Sequence, residues 1–218
     1  MKKIKLGIGA VIMICAALIS ERAEIIGVYF LAAFIHELGH LLAAKLLQIP
    51  IKEIRLGFSG VRICTDSGVT SYKNELLLAA FGPLANIVCI GISALILVRF
   101  DMSFSEVMDH SEKFLNGGDR SVQGAFGFFI TSSFLHAFVN LLPINTLDGG
   151  RILYCSAALI FNEKIAERLM EIVSAFFAIL LWIVALYLLL KVAAGLGVFV
   201  FAACIFFSST VNERNPPK

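Results

Sequence analysis

The stretch that decides the fold is Tyr29-Phe30-Leu31-Ala32-Ala33-Phe34-Ile35-His36-Glu37-Leu38-Gly39-His40-Leu41-Leu42-Ala43-Ala44-Lys45-Leu46-Leu47. It is long and apolar enough to belong in lipid, yet it carries two histidines and a glutamate at its centre. In a helix, residues four apart lie about 40° from each other around the axis and one turn along it. His36 and His40 can therefore reach one metal ion from the same face, in the HExxH pattern of zinc sites. Glu37 is turned by about 100° from His36, off the ligand position and beside a bound water. Ionisable groups in a membrane segment are costly unless they serve a site.

Composition extends this reading outward. The chain has 218 residues, of which 59% are hydrophobic, and a mean hydropathy of +0.88. A soluble domain of this length needs more polar residues to cover its surface. A formal net charge of +2 gives no sign of a nucleic-acid binder. The cysteines (Cys15, Cys64, Cys89, Cys155 and Cys204) form no CxxC pair and read as small apolar residues, mostly in helical runs.

Six apolar segments can be drawn: 4–20, 25–47, 76–98, 124–142, 169–190 and 193–209. Each is near the roughly 20 residues that span a hydrocarbon core, the first and last being short. Lys2, Lys3 and Lys5 before the first segment imitate a signal peptide, but no small-x-small cleavage site stands out before Glu21 and further spans follow. Lys52, Arg55, Arg62 and Lys73 follow the second segment, whereas Arg99 to Arg120 holds five acids against three bases. The positive-inside rule then puts both termini and the 48–75 loop in the cytoplasm, and the acidic loop outside. Between segments two and three, Ile51, Ile54, Leu56, Phe58, Val61 and Ile63 interleave with charged and small residues. That pattern reads either as a short hairpin near the membrane surface or as an amphipathic loop. The expected fold is an all-α polytopic membrane protein of six helices with this β hairpin, forming a single domain over residues 1–218.

Two imidazoles leave zinc short of ligands, so a third must come from elsewhere, with water in the fourth place. The best candidate is Asp148, in Asn140-Leu-Leu-Pro143-Ile-Asn-Thr-Leu147-Asp148-Gly149-Gly150. Pro143 breaks a helical ladder there, and irregular backbone at membrane depth is tolerated only where protein or water surrounds it. The plainer alternative makes Asp148 an N-cap for the run that follows. His136, one turn before Asn140, reads as a neighbour of the site rather than a ligand. His110 reads as solvated, and Glu163, Lys164, Glu167 and Arg168 have the spacing of surface ion pairs.

Three blocks together resemble the site-2 proteases, which are intramembrane zinc metalloproteases. His36 to His40 match the zinc motif, and Asn140, Pro143, Leu147, Asp148 and Gly149 match the NxxPxxxLDG pattern. Phe81-Gly82-Pro83-Leu84-Ala85-Asn86 looks like the GPxxN motif between them. Their order agrees across about residues 25–155, and Phe58-Ser59-Gly60-Val61 looks most like the stage IV sporulation FB branch. Such members commonly carry a CBS pair after the last helix, whereas this sequence stops at Lys218.

The resemblance implies zinc held by His36, His40 and Asp148, with Glu37 as general base. It implies Asn140 as a group that orients substrate or stabilises the oxyanion. Gly82, Pro83 and Asn86 would pack helices closely and line the substrate route. It further implies a three-helix core made of helices two to four, and a bacterial plasma-membrane location. The substrate would be a single-span membrane protein, such as a membrane-tethered transcription regulator. Two other readings remain open: a membrane zinc carrier, in which Glu37 has no task, and an HExxH protease taking a glutamate as third ligand. For the latter, Glu163, Glu167 and Glu171 are only a weak counterpart.

Overall fold

The computed structural model describes residues 3–6, 23–49, 51–57, 60–65 and 71–191. In chain order these form β1 (Lys3–Leu6), α1 (Ala23–Leu46), β2 (Ile51–Gly57), β3 (Gly60–Thr65), α2 (Tyr72–Arg99), α3 (Phe104–Asn116), α4 (Val122–Asn140), α5 (Asp148–Ile160) and α6 (Glu163–Lys191). They group into two compact units. One holds the chain up to Thr65 and Phe81–Val139, and the other holds the following chain up to Ala80 and everything from Asn140 on.

Among the described residues, four helices are long and apolar enough to cross a membrane: Glu24–Leu46, Tyr72–Arg99, Val122–Asn140 and Glu163–Tyr187. They coincide with the four inner apolar segments of the sequence. The protein is a multi-pass membrane protein. Its helices are built inside out relative to those of a water-soluble bundle. On α1, Leu31, Phe34, Leu38 and Leu42 recur at helical spacing and are exposed, while Ala32, His36, Gly39, His40 and Ala43 are buried. Large apolar side chains thus face outward where lipid replaces water, and small and polar residues face the packed interior.

The first and last apolar segments fare differently. Segment 193–209 lies outside the described residues, as does most of 4–20. The start of the latter is corrected, because Lys3–Leu6 is a strand rather than the opening of a helix. Its lysines alternate with Ile4 and Leu6, the period of two that suits an extended chain. It pairs in parallel with β2, Ile4 opposite Ile54, and β2 pairs antiparallel with β3, Ile54 opposite Ile63. The sheet order is β1-β2-β3, so among the described strands β3 and β1 are the edges.

The acidic stretch 99–120, read as a polar loop, contains the thirteen-residue helix α3. Val107, Ser111 and Phe114 form its buried face, and Val107 packs with Leu97 of α2 and Ile130 of α4. The helix ends at Gly117, whose φ of 84° lies in the left-handed region that glycine adopts at low cost. Beyond it, Asp119 collects three contacts. Its Oδ2 pairs with His110 Nδ1 at 2.7 Å and accepts from Ser121 Oγ at 2.8 Å, and its Oδ1 accepts from the Ser121 amide at 2.7 Å. His110 is therefore half-exposed and paired, not simply solvated. These contacts, the His110 hydrogen bond first, hold the Asp119 carboxyl down at about 2.

In the second unit, α5 and α6 are packed neighbours joined by a short turn, where Asn162 Oδ1 accepts from the Ile165 amide at 2.9 Å to cap α6. Tyr72 donates to Glu163 Oε1 at 2.5 Å and stacks edge-on against Tyr154, tying the first turn of α2 to α5 and α6.

Candidate metal centre

The site begins with α1. His36, Glu37 and His40 are all buried, and their ligand-type atoms lie within 4.8 Å of one another. The two imidazoles stand edge to face, their rings 4.8 Å apart at 82°, with the Nε2 atoms separated by 3.2 Å. At that separation, two bonds of about 2.0–2.1 Å to a single ion enclose an angle of about 100°, close to tetrahedral. The histidine pair therefore fits a zinc-type ion. Glu37 belongs to the same cluster, near enough to serve a water at the ion or the ion itself.

Helix α2 supplies the wall opposite. A methyl group at Gly82 would overlap His40 Nε2 and stand 2.7 Å from His36 Nε2. At Gly39 of α1 it would overlap the Phe81 carbonyl and stand 2.9 Å from Ala85 Cβ. Glycines on both helices thus let α1 and α2 come into backbone contact at the level of the histidines. Pro83, one residue on, is fully buried within an unbroken α2. Its missing amide hydrogen frees a carbonyl one turn earlier, which a helix buried against protein tolerates. Asn86, one turn beyond Gly82, is also fully buried, and neither of its amide atoms has a hydrogen-bond partner among the described residues.

Behind His36 lies α4. His136 packs edge-on against the His36 ring at 4.7 Å and against Tyr29 at 6.1 Å, making a row Tyr29, His136, His36, His40. The cluster of possible metal-holding residues comprises His36, Glu37 and His40, with His136 packed beside it. The contact of His136 with His36 was not legible from spacing.

Asn140 and Asp148 belong to the second unit, at the close of α4 and the opening of α5. Asp148 is the first helical residue and Leu147 takes the cap position, so the N-cap alternative is not the arrangement adopted. The glycines after it are sterically required. A methyl at Gly149 would overlap the Leu141 carbonyl, and one at Gly150 the Ile144 carbonyl. The first turn of α5 is thereby held tight against the 141–145 turn that Pro143 interrupts, and the Asn145 amide donates to Ser174 Oγ of α6 at 3.0 Å.

With this geometry in hand, similarity to known proteins becomes informative. The family model described as peptidase family M50 matches residues 23–184, from the start of α1 almost to the end of α6. This chain belongs to peptidase family M50. The M50 match agrees with the site-2 protease resemblance carried by the three sequence blocks, and a metallopeptidase family implies a metal. Stage IV sporulation protein FB of Bacillus subtilis (strain 168) is 29% identical over 182 residues, covering 81% of this chain and 55% of that protein. The chain thus spans about half the length of the curated relative it matches. In fold, this M50 chain is similar to the site-2 protease from Methanocaldococcus jannaschii, with a TM-score of 0.62 at 21% identity, over 99% of this chain and 92% of that one.

Proposed function

We propose that this chain is a zinc-dependent intramembrane endopeptidase that cuts a peptide bond within or near the transmembrane segment of a membrane-tethered substrate. The observation that carries the reading is the buried cluster of His36, Glu37 and His40 on a membrane-spanning helix. His36, His40 and, from the LDG block, Asp148 would hold the ion. Zinc, when bound, supplies Lewis acidity and a water acidified to near neutral pKa.

Glu37 supplies the proton chemistry. Its carboxylate accepts a proton as the water attacks the scissile carbonyl and returns it to the leaving amine nitrogen. The side-chain amide of Asn140 donates to the carbonyl oxygen as negative charge develops there. Gly82, Pro83 and Asn86 line the route of the substrate, and the unsatisfied amide of Asn86 suits a substrate backbone group. A buried amide left without a partner costs about 1–3 kcal/mol, which such pairing would relieve.

A helical substrate hides its scissile amide, so it has to unwind before attack. The interleaved sequence supports reading the β2–β3 pair as a membrane-proximal hairpin, whose edge strand would hold the unwound chain by strand addition. Six spans, both termini in the cytoplasm and a bacterial plasma membrane complete the reading. The substrate class is a single-span protein such as a membrane-tethered transcription regulator.

The test is co-expression with candidate single-span substrates, comparing wild type with Glu37→Gln. Cleavage should fall by about 10²–10⁴-fold in the variant while zinc content persists. Equal cleavage by both proteins would overturn the proposal.

A further inference from the structure

We propose that Gly82 forms the seat of the metal, leaving empty the volume that an ion shared by His36 and His40 has to occupy. The inference rests on the metallopeptidase reading and assigns Gly82 a task distinct from lining the substrate route.

The two close-contact glycines at this helix crossing differ in what they meet. A methyl at Gly39 runs into backbone, the Phe81 carbonyl, so that glycine sets how near the helices come. A methyl at Gly82 meets imidazole atoms first: His40 Nε2, His40 Cε1 at 2.5 Å and His36 Nε2 at 2.7 Å. Both Nε2 atoms, 3.2 Å apart, thus lie against the open side of Gly82. An ion bonded to both would lie about 2.0–2.1 Å from each. A methyl carbon that close to both Nε2 atoms would leave no room for an ion on that side of the pair.

This difference predicts how a substitution fails. Side chains can give way where backbone does not, so the imidazoles would swing apart to admit the methyl. Helix packing survives, but the paired nitrogens no longer converge on one point. Gly91, on the same helix, has nothing within 4 Å of an added Cβ and serves as the control.

The experiment uses the full chain in detergent, stripped of metal, with Co²⁺ titrated and followed by its visible absorption. Zinc per chain after reloading and the melting temperature of the metal-free protein are read in parallel. Wild type and Gly91→Ala should take up Co²⁺ alike. Gly82→Ala should bind it more than about a hundredfold more weakly, beyond the loss expected from disturbing an outer partner of a ligand. Its metal-free melting temperature should stay within a few degrees of wild type.

Uptake by Gly82→Ala equal to wild type overturns this inference and leaves the proteolytic reading standing. Absence of uptake by wild type overturns both. If Gly82→Ala does not fold, the triple variant Gly82→Ala/His36→Ala/His40→Ala decides. Recovery of folding locates the clash at the imidazoles and supports the inference, and continued misfolding overturns it.

Discussion

Two of the four histidines, His36 and His110, sit in opposite circumstances. His36 is 2% exposed in the middle of a membrane helix, boxed in by the rings of His40 and His136 and by the bare Cα of Gly82. His110 has a side chain 38% exposed on the helix between two spans, pinned to Asp119 at 2.7 Å. Around His110, polar atoms pair with one another and lock a corner, with the Gly124 amide donating to Ser121 Oγ at 3.0 Å and Arg120 lying 3.7 Å from Glu24. Around His36, two imidazoles and a carboxylate gather with their ligand-type atoms within 4.8 Å of one another. The contrast teaches that a buried polar cluster whose atoms converge on a point is built for something that comes to that point. A solvent-facing cluster that closes on itself is a fastener.

The largest way to break the contrast is to remove a converging group. His40→Ala should abolish both cleavage and stoichiometric zinc, read by substrate gels and metal analysis, whereas His110→Ala should leave zinc content unchanged. Next in size is the backbone contact. Gly39→Ala should destabilise the metal-free protein by about 1–3 kcal/mol through overpacking against Phe81, seen as a lowered midpoint in thermal unfolding. Asn86→Leu sharpens the comparison from the other side. Removing a buried amide that has no partner should raise stability by up to about 1–3 kcal/mol while slowing cleavage of substrates. A variant both destabilised and fully active would contradict the substrate-facing role.

The smallest effect belongs to the fastener. Asp119 has its pKa lowered to about 2 from an ordinary carboxylate value, so the charged form is favoured by folding. Its stabilising contribution is complete above about pH 4 and is lost as pH falls through about 2. Amides near the α3–α4 corner should therefore show lower protection factors, after correction for the intrinsic pH dependence of exchange, at pH 2.5 than at pH 5. In Asp119→Asn that difference should vanish.

Much of this was legible in the sequence for a plain reason. Spans and metal motifs are local, so length, apolarity and a four-residue spacing suffice to find α1 and its cluster. The inner segments were found in the same way. What escaped was either nonlocal or masked by charge. β1 pairs with β2 about fifty residues away, Lys3 opposite Glu53, and its lysines read more readily as a flank than as a strand. In α3 the acids of 106–112 drew the eye from the Val107, Ser111, Phe114 stripe, whose helical period was there to be counted. A short helix also opens at Asp148, in a stretch outside the six apolar segments drawn from the sequence. For Gly82 the motif gave a residue of interest but not its partner. Only the helix crossing reveals that its missing side chain faces imidazole rings rather than backbone.

The outward stripe Leu31, Phe34, Leu38 and Leu42 also bears on how the protein is made. When α1 leaves the ribosome it meets the bilayer before α2 and α4 exist to cover His36, Glu37 and His40. A charged side chain at the centre of an inserting helix costs about 2.5–3.5 kcal/mol, and four large apolar residues together offset much of that. The stripe that merely greases the finished protein is, during synthesis, what commits its histidine-bearing helix to the membrane.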